Sequence, residues 1–241
     1  MRFYVLTPKI LLLETSSHRC DVAIAEGKTL LAECGSLDPK GYQHAEKLHV
    51  YIQEVLTSAN LRVSDLDAIA VSAGPGSYTG LRIGVVSAKG LAQPHSLPIL
   101  AYSSLEALGE AARELAPNLH AHDRIWAAMD ARRMEVYSAV FTGNGERLSP
   151  DAPQLLEEMP IHASASDADY KVYGVGDGVA KALASWPNLR VVPIEYASAR
   201  HGISMALRAF EAKDFADTAA LTPAYLKAYR AGSPKLGLPN T

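Results

Sequence analysis

The chain is poor in the features that mark secreted, membrane-spanning or nucleic-acid-binding proteins. Its 241 residues include only two cysteines, too few for a disulfide framework. Lys and Arg total 23 against 26 Asp and Glu, so no basic excess is available to bind phosphate backbones. The N-terminal apolar stretches are broken by Pro8 and Lys9 and end at Glu14, too short for a signal-peptide core or a bilayer span. We expect a cytoplasmic protein with no membrane association.

The usual nucleotide-binding fingerprints are also missing. Residues 73–85, AGPGSYTGLRIGV, place four glycines between a strand-like run and a helix-like run. No lysine follows Gly80, which excludes a Walker loop, and the third glycine of the dinucleotide fingerprint is absent. We interpret the stretch as a loop that starts the following helix, because glycine permits backbone angles closed to other residues and Ser77 or Thr79 can cap the helix.

The sequence offers neither a metal-binding pair nor an activated nucleophile. No two histidines lie four residues apart, the spacing that brings two imidazoles on one helical face to one ion. Ser16, Ser77 and Ser103 are candidate nucleophiles by position, but none stands in a Gly-x-Ser-x-Gly elbow. We expect no catalytic residue and no metal, and we interpret these serines as caps and turn formers. A glycoprotease-like peptidase built from distant residues stays open as an alternative.

Apolar periodicity and turn signals predict two α/β lobes of similar layout. The first lobe, residues 1–115, begins with three strands and continues with alternating helices and strands; apolar residues four, three and four apart predict its first helix from His44 to Ala59. The second lobe, residues 116–241, repeats this order, with a third strand placed directly after the Gly-Asn-Gly turn at residues 143–145. Two mixed lobes in this order predict the two-lobed actin-like ATPase (ASKHA) fold.

In the actin-like fold a nucleotide lies between the lobes, and its phosphates meet the turns of the two leading hairpins. The stretch GVGDG at residues 174–178 could add backbone amides at a helix start, or it could be a tight strand-to-helix turn capped by Asp177. Because the first hairpin turn contains no glycine, we expect weak ATP binding and no cofactor on the isolated chain, and ATP or ADP at a composite interface stays open. The candidate cofactor-binding residues are Glu14, Thr15, Ser16, Asp130, Gly174, Gly176, Asp177 and Gly178.

Five stretches carry a more specific signal than any short motif. They are ILLLETSSHRCDVAIAEG, SAGPGSYTGLRIGVVSAKGLA, YSSLEAL, MDARRMEVY and LTPAYLK, in this order along nearly the whole chain. Together they resemble the bacterial TsaB (YeaZ) family. The resemblance implies a non-catalytic subunit that pairs with the transferase TsaD, which moves a threonylcarbamoyl group onto the adenosine beside the anticodon of tRNA. It also implies a TsaE ATPase that joins the pair, a homodimer when TsaD is absent, and tRNA contact only through the complex.

The chain departs from catalytic relatives at one place and from many relatives at another. TsaD-like enzymes hold a metal through two histidines four apart on one helical face, and the matching place here, SSLEAL at residues 103–108, has none. Many relatives have aspartate where Glu14 stands, and the longer side chain would displace any reach toward a magnesium-bound water. The absence of the histidine pair favours the non-catalytic role. The alternative from another class is an ATP-dependent small-molecule kinase of the same fold.

The helix that follows the glycine-rich stretch has two apolar stripes on nearly opposite faces. One stripe can face the sheet of its own lobe, and the other needs further core or another subunit; the resemblance favours a subunit. The first stripe contains Leu81, Val85, Ala88, Leu91 and Ala92. The predicted partner interface consists of Ile83, Val86 and Gly90 from the second stripe, joined by Val50 and Tyr51 of the preceding helix.

The C-terminal stretch YLKAYRAGSPK interleaves aromatic and basic side chains. Tyr225 and Tyr229 alternate with Lys227, Arg230 and Lys235, a composition that could stack on RNA or neutralise its phosphates. The simpler interpretation is a solvated tail.

Overall fold

Two five-stranded mixed sheets and their helices make up the protein. The computed structural model describes residues 7–38, 43–116, 118–158 and 170–227. The strands are β1 (Lys9–Glu14), β2 (Arg19–Glu26), β3 (Thr29–Leu37), β4 (Ala68–Gly74), β5 (Ile99–Ser103), β6 (Arg124–Asp130), β7 (Glu135–Thr142), β8 (Ala152–Leu155), β9 (Val172–Val175) and β10 (Arg190–Val191). The α-helices are α1 (His44–Ser58), α2 (Tyr78–Ala92), α3 (Ser104–Leu115), α4 (Val179–Ala182) and α5 (Ile203–Ala212). Short 3-10 helices cover Val63–Asp65, Gln93–His95, Leu156–Glu158 and Ala199–Gly202. No helix among these residues is long and apolar enough to cross a membrane.

The two sheets have the same topology. The first has the order β3-β2-β1-β4-β5 and the second the order β10-β9-β6-β7-β8, which is the same arrangement written in reverse. In each sheet the leading strand pairs antiparallel with the next strand and parallel with the fourth, as Leu12 of β1 pairs with Ala23 and Ala70. Ala127 of β6 pairs likewise with Ala139 and Val175. This duplication confirms the predicted two-lobed actin-like fold.

A shared core joins the two sheets. Because side chains alternate along a strand, Leu11 and Leu13 of β1 face α1 and α2, whereas Ile10 and Leu12 face the opposite side. That opposite side is continuous with the core of the second lobe through Leu105 of α3 and buried side chains of β6 and β7. The side of the first sheet that faces the second lobe is therefore filled by packed side chains.

The segment after residue 199 belongs to the first sheet by its contacts. Ala199 donates its amide to Oδ1 of the buried Asp21 on β2 at 3.3 Å, and Ala216 donates to the carbonyl of Ile99 at 2.8 Å. The predicted boundary near residue 115 lies between the two sheets, but this last segment, assigned by sequence to the second lobe, returns to pack on the first. Helix α5 was absent from the predicted layout.

One strand begins later than predicted. After the Gly-Asn-Gly turn the chain forms an isolated bridge between Phe141 and Arg147 but no regular strand. The Ser149 hydroxyl accepts the hydrogen bond that the Val140 amide donates. Pro150 follows and has no amide to donate, so regular pairing resumes only at β8.

Candidate functional site

The leading hairpin turn of the first lobe is buried. Glu14, Thr15, Ser16 and Ser17 all belong to the interior. Oε1 of Glu14 accepts a hydrogen bond from the Ser16 amide at 2.8 Å, and burial raises the pKa of Glu14 above its usual value. The predicted cofactor-binding residues Glu14, Thr15 and Ser16 therefore have no surface to offer a ligand in the isolated chain.

The glycine-rich stretch is what covers this turn. The Ser77 amide donates to the Ser16 carbonyl at 2.6 Å, and a Cβ on Gly76 would overlap the same carbonyl. A Cβ on Gly80 would overlap the carbonyl of Thr15. Ser77 also caps α2, since its Oγ accepts the Gly80 amide at 3.2 Å. The glycines allow α2 to begin in contact with the first hairpin turn, which agrees with the interpretation of this stretch as a loop that starts the helix.

In the stretch GVGDG of the second lobe, the amides of residues 176–178 are not free to bind a phosphate. The amides of Gly176, Asp177 and Gly178 donate to the carbonyls of Ile194, Glu195 and Ala128 at 2.9, 3.1 and 3.0 Å. Gly174 is buried in β9, beside the side chain of Leu189. Thus GVGDG forms a tight strand-to-helix turn, and these residues do not fit a nucleotide in the isolated chain.

Asp130 and Asp177 are engaged with each other and with a lysine. Oδ1 of Asp177 accepts the Asp130 amide at 2.8 Å, so this carboxylate does not cap α4 as the sequence suggested. The Lys181 ammonium pairs with Asp130 at 2.5 Å and donates to the Arg133 carbonyl at 2.7 Å. These contacts tie α4 to the β6–β7 turn and leave Asp130 already paired.

Three of the five predicted interface residues are open at the surface of α1 and α2. Val86 is 66% exposed and Val50 is 48% exposed. A Cβ on Gly90 would meet no atom within 4 Å. We call Val50, Val86 and Gly90 the helix face. It combines an exposed apolar side chain on each helix with a glycine that permits close approach of a partner backbone.

The other two predicted interface residues pack inward. Ile83 and Tyr51 are half-buried against the core beneath α1 and α2. The Tyr51 hydroxyl donates to Oγ of Ser36 at 2.8 Å, which ties α1 to β3. The sequence predicts Ile83 on the second stripe of α2 and Tyr51 beside that stripe, but a half-buried side chain at the edge of a stripe can reach the sheet.

Sequence analysis missed an aromatic cluster that extends the helix face. Arg82 of α2 lies with its guanidinium 4.1 Å from the centre of the Tyr78 ring, and its Nε donates to the Tyr225 hydroxyl at 2.8 Å. The rings of Tyr78 and Tyr225 are 4.9 Å apart. The sequence predicts that Tyr225 stacks on RNA or is solvated, because no local pattern links residues 143 positions apart. Tyr229, Arg230 and Lys235 lie outside the described residues.

Residues 103–108, where the resemblance implies that catalytic relatives carry two metal-binding histidines, form ion pairs instead. Glu106 near the start of α3 pairs with Arg147 at 3.0 Å and with Arg208 at 2.6 Å. Ser103 caps α3 and donates to Oδ2 of Asp151 at 2.6 Å. Within the described ranges no group of three or more His, Cys, Asp or Glu could hold a metal ion. This site has internal structural partners for each of its charged side chains.

Comparisons with known proteins place these features in one family. The matching family model is TsaD, tRNA N6-adenosine threonylcarbamoyltransferase, over residues 40–159. The tRNA threonylcarbamoyladenosine biosynthesis protein TsaB of Escherichia coli (strain K12) is 30% identical over 183 residues, 75% of this chain and 74% of that protein. TsaB of Haemophilus influenzae is 37% identical over 130 residues, 53% of this chain and 51% of that protein.

A solved structure agrees with the sequence relatives. YeaZ from Pseudomonas aeruginosa superimposes with a TM-score of 0.76 and 26% identity, over 91% of this chain and 100% of the other. The match to the transferase model covers about half of the chain, whereas the similarity to E. coli TsaB extends over three quarters of both proteins. The chain therefore belongs to the TsaB family of tRNA threonylcarbamoyladenosine biosynthesis proteins.

Proposed function

We propose that this chain is a non-catalytic partner subunit that pairs with a TsaD-like transferase, the enzyme that installs threonylcarbamoyl on the adenosine beside the anticodon of tRNA. A TsaE-like ATPase joins the pair, and tRNA is contacted only through the complex. In the absence of the transferase, two copies of this chain pair through the same surface. The compartment is the cytoplasm, which suits the two free thiols of Cys20 and Cys34.

The helix face is the observation that carries this proposal. Val86 is the most exposed large apolar side chain of the described residues, and it lies on a helix whose other apolar stripe is already buried. Burying it fully against a partner would stabilise the pair by about 1–2 kcal/mol. Gly90, one turn further along α2, leaves room for the partner's backbone.

The non-catalytic role is supported by how the candidate reaction sites are filled. The first hairpin turn is covered by α2, the amides of residues 176–178 after β9 are paired, and Glu106 is held between two arginines. The same contacts disfavour the small-molecule kinase, which needs an open phosphate site on this chain. We therefore expect the isolated chain to bind ATP or ADP only weakly, and we assign any tight nucleotide binding to a composite interface with the partner.

The test is capture of the transferase by this chain from a native extract of its source. The immobilised wild-type chain should retain a protein identified by mass spectrometry as the TsaD-like transferase, and the Val86→Arg variant should not. Equal retention by both would show that the helix face is not the pairing surface. Failure of the wild-type chain to retain any transferase would refute the proposed function.

A further inference from the structure

A groove runs along α2 beside the segment that approaches the C-terminus. It has a volume of about 230 Å³ and lies between α2 and residues 221–225. Its apolar wall includes Val86 and Leu221, and its polar rim includes Arg82 and Lys89. We call it the tail groove. Because Val86 belongs both to the tail groove and to the helix face, the two surfaces are continuous.

The two cations of the tail groove have only neutral partners among the described residues. Nε of Arg82 is bonded to the Tyr225 hydroxyl, and the Lys89 ammonium donates to the Ala219 carbonyl at 3.3 Å. Neither side chain takes part in an ion pair within residues 7–38, 43–116, 118–158 and 170–227.

The local sequence explains why these charges are unbalanced. Neither α2 nor residues 218–227 contain an Asp or Glu. An arginine has five N–H donors and a lysine three, and each side chain uses one of them in these contacts. Two positive charges with donors to spare therefore stand at the rim of an apolar groove.

We propose that the tail groove receives a segment of the partner transferase in which a carboxylate side chain stands next to an aliphatic one. The inference rests on the proposed function and specifies the chemistry of the partner. The carboxylate would lie between Arg82 and Lys89 and accept charge-assisted hydrogen bonds from both, and the aliphatic side chain would pack on Val86 and Leu221. Arginine next to tyrosine is a composition found at the energetic centres of protein interfaces.

The apolar wall distinguishes this occupant from RNA. A phosphate backbone would use the two cations but would leave Val86 and Leu221 exposed, and the chain as a whole carries a net charge of −3. A carboxylate beside an aliphatic residue uses both parts of the groove. The surface is thus better suited to a protein segment than to a nucleic acid.

The experiment compares the wild-type chain with a variant that combines Arg82→Gln and Lys89→Gln. Association with the purified transferase is measured by surface plasmon resonance at low and high salt. The double variant should bind about tenfold more weakly or worse, and its association rate should depend less on salt, because steering by opposite charges is screened. Circular dichroism and thermal melting should match the wild type, since both side chains lie at the surface.

Two matched variants separate loss of charge from other effects. Lys213→Gln removes a cation just after α5, on the opposite face of the first sheet, and should leave affinity and salt dependence unchanged. Tyr225→Phe removes the hydrogen bond from Arg82 but keeps both charges, so the salt dependence should persist.

The outcomes that would overturn the inference are distinct from failure of the proposed function. If the wild type pairs and the double variant keeps its affinity and salt dependence, the tail groove is not the docking site. If Tyr225→Phe loses salt dependence as the double variant does, the cations act only by holding the tail. If the double variant pairs normally and the assembled pair loses tRNA binding, the groove takes phosphates. A wild-type chain that does not pair would refute both proposals.

Discussion

Arginine substitution at two adjacent positions of α2 should separate folding from pairing. Val85 is 3% exposed and packs between α2 and the first sheet, whereas its neighbour Val86 points away from that sheet. We expect Val85→Arg to prevent folding and Val86→Arg to leave a folded chain that does not pair with the transferase. The two variants have the same composition and net charge, so each serves as the control for the other.

The expected magnitudes follow from burial. Val85→Arg gives up about 1.5–3 kcal/mol of apolar burial and adds several kcal/mol for an unpaired buried charge, which together approach the 5–15 kcal/mol that stabilise a typical domain. Val86→Arg leaves the charge in water and should change the free energy of unfolding by about 0.5 kcal/mol or less. At a partner interface the same charge is desolvated, and a loss of about 3 kcal/mol weakens binding roughly 100-fold.

The assay combines thermal melting by circular dichroism with light scattering of the chain alone and mixed with the transferase. The reasoning is refuted if Val86→Arg unfolds the chain, because the residue would then belong to the core. It is equally refuted if Val86→Arg changes neither fold nor assembly, since the interface would then lie elsewhere.

The remaining predictions concern the buried turn and the cleft. Gly80→Ala should destabilise the fold, because the added methyl overlaps the Thr15 carbonyl, whereas Gly90→Ala should stabilise α2 by up to about 1 kcal/mol in a thermal melt and weaken pairing. Burial raises the pKa of Glu14, so the wild type should lose stability as pH rises above the usual glutamate pKa of 4.5. In urea unfolding, the stability of Glu14→Gln relative to the wild type should therefore rise as the pH increases above 4.5, and a difference independent of pH would contradict a titrating buried carboxyl. Calorimetric titration of the isolated chain with magnesium ATP should give only weak binding, and micromolar affinity would show a working nucleotide cleft.

Local pattern was enough to predict most of the fold. The spacing of buried Leu48, Ile52 and Val55 marks α1, and the continuous apolar run along β1 marks a strand with two covered faces. The repeated order of strands and helices was sufficient for the two-lobed actin-like topology. Helix α5 also has a helical pattern in its sequence, since Ile203, Leu207 and Phe210 lie four and three residues apart.

The candidate site could not be predicted in the same way, because it is formed by contacts between residues far apart in the sequence. The turn at Glu14 looks like a ligand site until Gly76 and Gly80, more than 60 residues away, are seen to pack on it. The Arg82–Tyr225 contact joins residues 143 positions apart. Burial of Ile83 depends on the orientation of α2 relative to the first sheet, and the spacing of residues along a helix does not determine that orientation.

Reconstituted threonylcarbamoyl transfer to tRNA tests the central claim most directly. Modified adenosine is measured by mass spectrometry with the purified chain alone, with the transferase and the remaining components of the system but without the chain, and with everything together. The account predicts no product from the chain alone, full product only when the wild-type chain is added to the transferase, and near-background product with Val86→Arg. Modification by the chain without the transferase, or full activity with Val86→Arg, would contradict it.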